Sequence, residues 1–175
     1  MSLDTGTKKG IALAQLGLLF EYPTKITLPE LSKICDGVGR AYPQTEKTLL
    51  NFETGYRALN ISQLEEIYTR TFDLAAICSL YVTGYIYGDE NFDRGTLMAT
   101  LGERFQQLNF NAGGELPDHL PVLLRFTALL TDTEIKELTE YCLLGPVKQM
   151  CESLTEKDNP YTHLLKAVFA ALKAD

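Results

Sequence analysis

Apolar side chains recur along most of this chain at the spacing of one face of an α-helix. Residues 64–75 and 161–172 each place apolar or small side chains at i, i+3, i+4, i+7, i+8 and i+11, which is the pattern of a helix with one buried face. Residues 92–108 and 147–154 carry shorter stripes of the same kind. Nothing alternates with the period of two that a half-buried sheet requires. The pattern therefore predicts an all-α fold, a bundle of roughly seven to nine helices.

Helix-start signals precede several of these segments. Three are capping boxes, in which a Ser or Thr and a Glu three residues later each bond the other's backbone N–H group. They are Thr27 with Glu30, Ser62 with Glu65, and Thr131 with Glu134. Asn159 followed by Pro160 is a fourth start, because Asn caps well and Pro suits the first helical position. The first helix, about residues 8–21, is apolar nearly all round and is expected to lie at the centre of the bundle.

One segment fits the helical pattern less well. The stretch CSLYVTGYIYG, residues 78–88, is rich in β-branched and aromatic side chains, a composition that also suits a strand. A strand needs a partner, and no other segment shows the alternation of a strand. We therefore predict a buried helix over residues 78–88.

Length and charge restrict the class of protein. A chain of 175 residues with 45% hydrophobic content can build one core, so residues 1–175 are expected to form a single domain. The net charge of −7 argues against sequence-independent binding of nucleic acid, which requires a basic surface. Residues 61–120 contain 3 basic and 9 acidic side chains, and a basic partner would be drawn to this third of the chain. The alternative is that these acids only solvate helix faces.

The four cysteines lie in apolar helical patterns without the spacing of metal ligands. They are Cys35, Cys78, Cys142 and Cys151. Four free thiols in a reducing compartment are therefore expected. The N-terminal apolar run is interrupted by Gln15 and closed by Glu21, with no small-residue cleavage site after it. No stretch reaches the ~18 apolar residues of a membrane span, so we expect a cytoplasmic protein that does not insert into a membrane.

Motifs that carry catalytic chemistry are not found. The chain has no phosphate-binding glycine motif, zinc-protease motif or serine-hydrolase elbow. The two histidines, His119 and His163, are far apart in sequence, and further metal ligands cannot be assembled around either. No motif specifies a Cys–His nucleophile pair. Neither an enzyme nor a metal site is therefore expected.

The stretch ELPDHLPVLLRF, residues 115–126, is an unusual entry into a helix. In one interpretation Asp118 is an N-cap that accepts from the Leu120 N–H, and a proline occupies the first turn. This interpretation explains Asp118 and the prolines, but neither His119 nor Glu115. In the other interpretation Asp118 and His119 form a recognition pair that also starts the helix.

Several segments together resemble the TorD/DmsD/NarJ family of molybdoenzyme-specific chaperones, and most closely its NarJ branch, the nitrate reductase delta subunits, also called molybdenum cofactor assembly chaperones. ELPDHLPVLLRF is similar to the family signature E-x-P-D-H-L. The other similar segments come in the expected order and are LLFEYP (18–23), LEEIYTRTFDL (64–74), CSLYVTGYIYGD (78–89) and NPYTHLLKAV (159–168). The resemblance spans about residues 11–170.

The resemblance implies an all-helical cytoplasmic chaperone without catalytic activity. Such a chaperone binds the N-terminal segment, a twin-arginine signal or its remnant, of the catalytic subunit of a molybdenum oxidoreductase, here one similar to nitrate reductase. It holds the apoenzyme until molybdopterin guanine dinucleotide is inserted, so it handles this cofactor through its client and binds none tightly. A monomer or weak dimer is implied. The alternative is a structural helical subunit that stays in the mature complex.

The resemblance also implies a peptide-binding site on two of the matched motifs. Its residues are Glu115, Pro117, Asp118, His119 and Leu120 in the first motif and Ser79, Tyr81, Tyr85 and Asp89 in the second. We expect Asp118 to accept from a peptide arginine while His119 donates or stacks at the mouth of a groove. Tyr81, Tyr85 and Tyr87 would line this groove for an amphipathic helix, unless Tyr81 and Tyr85 belong to the core.

Overall fold

The computed structural model describes residues 6–88 and 91–175 and contains ten α-helices. They are α1 (Lys8–Leu18), α2 (Leu28–Ala41), α3 (Glu46–Arg57), α4 (Ile61–Tyr68), α5 (Val82–Tyr87), α6 (Phe92–Gln107), α7 (Leu120–Phe126), α8 (Asp132–Leu138), α9 (Leu144–Ser153) and α10 (Pro160–Lys173). One π-helical turn, Thr69–Asp73, continues α4, and another, Thr139–Leu143, joins α8 to α9 without a break. With α8 and α9 counted together, the described ranges form nine helices and no sheet. The predicted all-α fold is confirmed.

Helix α1 lies against α7 along most of its length and also contacts α2 and α10. Two glycines allow this close packing. A Cβ atom added at Gly10 would lie 2.3 Å from the Thr127 carbonyl oxygen, and one at Gly17 would lie 3.0 Å from the Pro121 carbonyl oxygen. The Thr127 hydroxyl donates to the Gly10 carbonyl oxygen at 3.0 Å. The central position predicted for the first helix is therefore correct.

The apolar character of α1 does not mean that it is buried all round. Leu13 and Leu16 are fully buried, whereas Ile11 and Leu18 are 42% and 40% exposed. One apolar face of α1 is thus covered by α7 and another faces the protein surface.

The predicted helix starts are confirmed at three of the four positions. Capping boxes form at Thr27 and Thr131, and the Asn159 side chain accepts from the Tyr161 N–H. The box predicted at Ser62 is wrong. Asn60 and Gln63 form a box instead, and α4 begins at Ile61. Asn is as good a cap as Ser, so Asn60 starts the helix before the apolar stripe begins.

The buried helix predicted over residues 78–88 is correct only over Val82–Tyr87, and within this helix only Val82 and Thr83 are buried. Tyr81 is extended and forms an isolated antiparallel bridge with His119. The Leu120 N–H donates to the Leu80 carbonyl oxygen at 2.8 Å, and the Val82 N–H donates to the Asp118 carbonyl oxygen at 3.0 Å. The segment with strand-like composition therefore does pair with another segment, and that segment is the ELPDHL motif.

Aromatic rings from the segment just after α1, from α3, from α4 with its π-helical turn, and from α10 pack against one another, mostly edge to face. They are Phe20, Phe52, Tyr56, Tyr68, Phe72 and Tyr161. On the outside of the same turn, Nη1 and Nη2 of Arg70 donate to Oε1 and Oε2 of Glu156, each at 3.1 Å. These contacts fix the π-helical turn Thr69–Asp73 against α10 and the loop before it.

The helices are short. The longest, α6, has 16 residues. None in the two described ranges has both the length and the apolar character needed to cross a membrane.

Candidate functional site

Asp118 is fully buried and anchors the ELPDHL motif from inside the protein. Its Oδ2 accepts a hydrogen bond from the Thr83 hydroxyl in α5 and lies 3.9 Å from Nη2 of Arg94 in α6. Arg94 Nε donates to the same Thr83 hydroxyl at 2.7 Å. One carboxylate thus ties the motif to the first turns of two helices.

Two predictions for Asp118 do not hold. It does not cap α7, because the helix begins at Leu120 and the Leu120 N–H is bonded to Leu80. Its carboxylate also does not lie at the surface, where contact with a peptide arginine would require it. Oδ1 has no hydrogen-bond partner among the described residues, although burying an unpaired carboxylate oxygen is costly. Asp118 is therefore a positioning residue for the motif around it.

Three side chains lie close together in the part of the motif that Asp118 anchors, and they belong to Tyr81, Glu115 and His119. The Tyr81 and His119 rings lie 5.1 Å apart between centroids, at an interplanar angle of 45°. The Tyr81 hydroxyl donates to Glu115 Oε1 at 2.9 Å, and the Leu116 N–H donates to the same oxygen at 3.0 Å. His119 is half-buried, and its Nδ1 has no partner within the described part of the chain. The two motifs thus form one site.

Burial and nearby carboxylates set the protonation of this site. Burial, followed by the hydrogen bond to Glu115, raises the pKa of Tyr81 to about 12, so its hydroxyl stays protonated and donates. Burial raises the pKa of Glu115, but hydrogen bonds from Leu116 and Tyr81 and the charge of His119 outweigh burial and lower this pKa overall. Burial also lowers the pKa of His119, against four carboxylates that act in the opposite direction. These belong to Glu115, Asp118, Asp73 and Glu21.

Two of these carboxylates, Glu21 and Asp73, were not among the predicted site residues. Glu21 comes after the end of α1, and Asp73 ends the π-helical turn after α4. Both lie in segments that carry the family resemblance, but their approach to His119 depends on the packing of remote helices. We use the term acidic site for Glu21, Asp73 and Glu115 together with Tyr81 and His119.

Among the described residues, no lysine or arginine forms an ion pair with the three carboxylates of the acidic site. Throughout residues 6–88 and 91–175, the ion pairs made by lysine and arginine go to other acids. Asp73 and Glu115 are exposed and Glu21 is half-buried. Unpaired negative charges beside two aromatic rings can bind a guanidinium group, through charge-assisted hydrogen bonds and through stacking on the ring faces.

A cavity of about 520 Å³ lies between the end of α1 and α4 and includes Leu74, which is 76% exposed. It is lined by Tyr22, Ser62, Glu65, Glu66, Thr69, Arg70 and Leu74. The Tyr22 ring packs at 5.3 Å on Tyr68, whose hydroxyl donates to the Phe20 carbonyl oxygen at 2.9 Å. Two further carboxylates thus lie in the cavity that adjoins Asp73.

The other predicted site residues that the structure describes are buried or half-buried, or form hydrogen bonds within their own segment. Leu120 is fully buried, and Pro117 is half-buried. The Tyr85 hydroxyl donates to the Ser79 carbonyl oxygen at 2.6 Å, and the Ser79 hydroxyl accepts from the Tyr81 N–H at 3.3 Å. These contacts shape the turn before α5. Asp89 lies outside the described residues.

Stability is expected to fall as the pH drops below about 6.5. Unfolded His119 takes up a proton near its ordinary pKa of 6.5, whereas burial lowers the pKa in the folded protein. The unfolded state therefore binds more protons in this window, which favours unfolding until the pH lies below the folded pKa as well. Urea unfolding of the parent and of His119→Gln measures the effect. The variant should lose less stability between about pH 7 and pH 5.5, and equal losses would contradict this role of His119.

The described residues offer neither a cluster of metal ligands nor a reactive thiol among Cys35, Cys78 and Cys151. Nowhere in the described ranges do three His, Cys, Asp or Glu side chains gather as metal ligands. All four cysteines are free, as predicted. Burial raises the pKa of Cys35 to about 12 and those of Cys78 and Cys151 to about 11, so these thiols are protonated and weakly nucleophilic at neutral pH.

Known proteins resemble this chain over most of its length. The sequence model of a family described as nitrate reductase delta subunit matches residues 32–167. The probable nitrate reductase molybdenum cofactor assembly chaperone NarJ of Bacillus subtilis is 29% identical over 171 residues, which cover 95% of this chain and 91% of that protein. The nitrate reductase-like protein NarX of Mycobacterium tuberculosis is 33% identical over 102 residues, which cover 58% of this chain but 15% of NarX.

Proposed function

Because the chain belongs to the nitrate reductase delta subunit family, we propose that it is an assembly chaperone for the molybdenum cofactor of an enzyme similar to nitrate reductase. A relative that aligns over 95% of this chain carries that description. The proposed client is the catalytic subunit before its cofactor is inserted. The chaperone acts by binding, without catalysis, in the cytoplasm.

The observation that carries the proposal is the acidic site, whose three carboxylates form no ion pair with a lysine or arginine of the described residues. We propose that it binds the basic N-terminal segment of the client, a twin-arginine-type signal or its remnant. We expect a peptide guanidinium to pair with Glu115 or Asp73 and to stack on the Tyr81 or His119 ring. Asp118 supports this contact from the protein interior, because it fixes the loop that carries both Glu115 and His119.

Binding of the N-terminal segment explains how such a protein assists assembly. While the segment is held, it is not available for export or for docking at a membrane. The molybdopterin guanine dinucleotide belongs to the client and is inserted during this time. The proposal requires no tight cofactor site on the chaperone, and the segment is released once the client has folded around its cofactor.

The second candidate is a structural subunit that stays in the mature complex. The match to a small part of NarX favours it, because there the similar region lies within a longer nitrate reductase-like protein. The two candidates differ in what remains bound. Purified active client should lack the chain if it is a chaperone, and should contain it in stoichiometric amount if it is a subunit.

Peptide binding is tested by calorimetry with the first ~30 residues of the catalytic subunit from the same genome, a segment that folds as it binds. Dissociation constants between micromolar and nanomolar are expected, weaker at high salt because exposed charges are screened. A peptide with its arginines changed to glutamine should bind more weakly. Absence of binding at low and at high salt would overturn the proposal.

Replacing Glu115 with glutamine is expected to weaken binding of this peptide by about tenfold, because one charge-assisted hydrogen bond is lost. Asp73→Asn should have a similar effect. Glu137→Gln is the matched control, since Glu137 is an exposed acid of α8 outside the acidic site. Equal loss of affinity in Glu137→Gln and Glu115→Gln would indicate a general charge effect and not a site.

A further inference from the structure

A cavity of about 660 Å³ lies where the first turn of α1 meets α8, the π-helical turn after α8 and the end of α10. Its apolar lining comes from Ile135, Leu144, Leu172 and Ala174. Ile135, Leu172 and Ala174 are buried, so the inner wall of the cavity is an edge of the hydrophobic core. An apolar group inside the cavity would therefore be removed from water against this wall.

Four lysines from three helices also line this cavity. They are Lys8 and Lys9 in α1, Lys136 in α8 and Lys173 in α10. The net charge of the chain is −7, so a cluster of positive side chains is not a consequence of composition. The fold brings these lysines together from distant parts of the sequence. We use the term lysine cavity for this space.

The positive charges of the lysine cavity exceed its negative charges by one. Its acids are Asp132, Glu140 and Asp175. Glu140 lies 4.0 Å from the ammonium group of Lys136, and these two charges offset each other. Within the described ranges, no other lysine of the cavity forms an ion pair. One negative group on a ligand would therefore neutralise the cavity.

Two of the lysines are held in place before any ligand binds. Lys9 Nζ donates to the Leu172 carbonyl oxygen at 3.1 Å and also to the carbonyl oxygen of Ala174, so it caps the end of α10. The Lys8 ammonium lies 5.5 Å from the centre of the Tyr42 ring, within range of a cation–π contact. An ammonium group has three N–H donors, so Lys9 keeps one for a ligand. Groups fixed in advance lose little entropy on binding.

Thr139 adds an independent sign that the lysine cavity takes a polar ligand. It lines the cavity and is 7% exposed, and its hydroxyl oxygen is buried without a hydrogen-bond partner among the described residues. A buried hydroxyl without a partner costs free energy, which a ligand oxygen would recover. Thr139 also begins the π-helical turn Thr139–Leu143, and π-helical turns inside helices occur frequently at functional sites.

We propose that the lysine cavity binds a small organic anion, which consists of one carboxylate or phosphate group on an apolar body. The ammonium groups of Lys8, Lys9 and Lys173 attract the anionic group, and the Thr139 hydroxyl donates to it. The apolar body packs on the inner wall. This site goes beyond the proposed function, because its ligand has the opposite charge to the segment that we place at the acidic site. The two sites also lie at opposite ends of α1, since Glu21 follows its last turn.

Binding is tested by NMR titration of the full chain with octanoate, a carboxylate on an apolar chain. The amide signals of residues 135–144 and 172–174 should move. Octylammonium, which has a chain of the same length and the opposite charge, should bind at least about tenfold more weakly, because it gains no charge-assisted hydrogen bond. Inorganic phosphate should also bind at least about tenfold more weakly, because it has no apolar body to bury.

Octyl phosphate distinguishes the two kinds of anionic group. Tighter binding of octyl phosphate than of octanoate would identify the ligand as a phosphate ester, and the reverse order would identify it as a carboxylic acid. Both results support the proposal, provided that the same amide signals move.

The double variant Lys8→Gln/Lys173→Gln should bind octanoate about tenfold more weakly than the parent protein, because two of the attracting charges are lost. Both side chains are exposed, so the fold should tolerate the change. Lys33→Gln/Lys47→Gln is the matched control. Lys33 and Lys47 are exposed on α2 and α3 and do not line the cavity.

Thr139→Val separates binding from folding. Valine keeps the shape of the side chain and removes the hydroxyl, so octanoate should bind about fivefold more weakly. The melting temperature of the free protein should not fall, because the lost hydroxyl has no partner among the described residues. A variant that binds octanoate as well as the parent does would overturn the role of Thr139 and with it the proposed site.

Four further results would overturn the proposal. The first is that octanoate and octyl phosphate, at millimolar concentrations, do not bind the parent protein. The second is equal affinity for octanoate and octylammonium, which would mean that only the chain is recognised. The third is equal loss of affinity in the two lysine double variants, which would indicate a general charge effect. The fourth is movement of amide signals elsewhere in the chain and not at residues 135–144 and 172–174.

Discussion

Asp118→Ala is expected to lower the free energy of unfolding by about 3 kcal/mol, and the melting temperature by roughly 6–12 °C. The substitution removes a fully buried carboxylate and leaves the Thr83 hydroxyl without its acceptor and Arg94 without this carboxylate. Breaking a buried ion pair costs about 3–5 kcal/mol. The lower end applies here because the Arg94 side chain is 26% exposed and lies 3.9 Å away. Asp73→Ala, at an exposed carboxylate, should change stability by less than about 0.5 kcal/mol.

Asp118→Ser separates the buried anchor from a helix cap. Serine caps a helix about as well as aspartate, so a cap would tolerate the change. A serine hydroxyl cannot replace a carboxylate that reaches Thr83 and approaches Arg94, so we expect a loss close to that of Asp118→Ala. Urea unfolding of the two variants makes the comparison. A serine variant as stable as the parent would show that the anchor contributes little.

Gly10→Ala is expected to destabilise the protein by about 3 kcal/mol or more, because overpacking at a rigid contact forces the backbone to move. The new Cβ would lie 2.3 Å from the Thr127 carbonyl oxygen. That oxygen belongs to a tight 3-10 turn, Thr127–Leu129, and cannot move as the end of a flexible side chain can. The contact between α1 and the end of α7 should therefore open.

Gly102→Ala is the matched control for this prediction. Gly102 lies inside α6, and a Cβ there would meet no atom of the described residues within 4 Å. Alanine is the better helix former, so this change should stabilise the protein by about 0.5–1 kcal/mol. Thermal and urea unfolding give both values. Similar destabilisation in the two variants would mean that the close approach at Gly10 is not the cause.

Local patterns in the sequence predicted most of the helices, because periodicity and caps act over a few residues. The capping box at Thr131 and the cap at Asn159 could be identified from residues three or fewer positions apart. The prediction was wrong at residues 78–81 for a different reason. The Leu80 carbonyl oxygen accepts from the Leu120 N–H, and the Cys78 N–H donates to the Thr71 carbonyl oxygen, pairings that no local pattern contains.

The candidate site was predictable only in part for the same reason. The two motifs identified Tyr81, Glu115 and His119, and the structure brings these side chains together. Sequence could not show that Asp118 points inward, because that depends on Thr83 and Arg94 in other helices. Nor could it show that Glu21 and Asp73 approach His119, since both residues reach it through the packing of α1 and α4.

The π-helical turn Thr69–Asp73 lets the acidic site tolerate a change in chain length that a regular helix would not tolerate. A π-helical turn takes up one residue more than an α-helical turn. In a regular α-helix, deleting one residue rotates the residues after the deletion by about 100°, the angle per residue of an α-helix. Deleting one residue between Tyr68 and Asp73 would instead remove the extra residue of the π-helical turn and leave a regular α-helix, with Asp73 on the same side of the helix as before. Two related chains can therefore differ in length by one residue in this turn and keep the same acidic site.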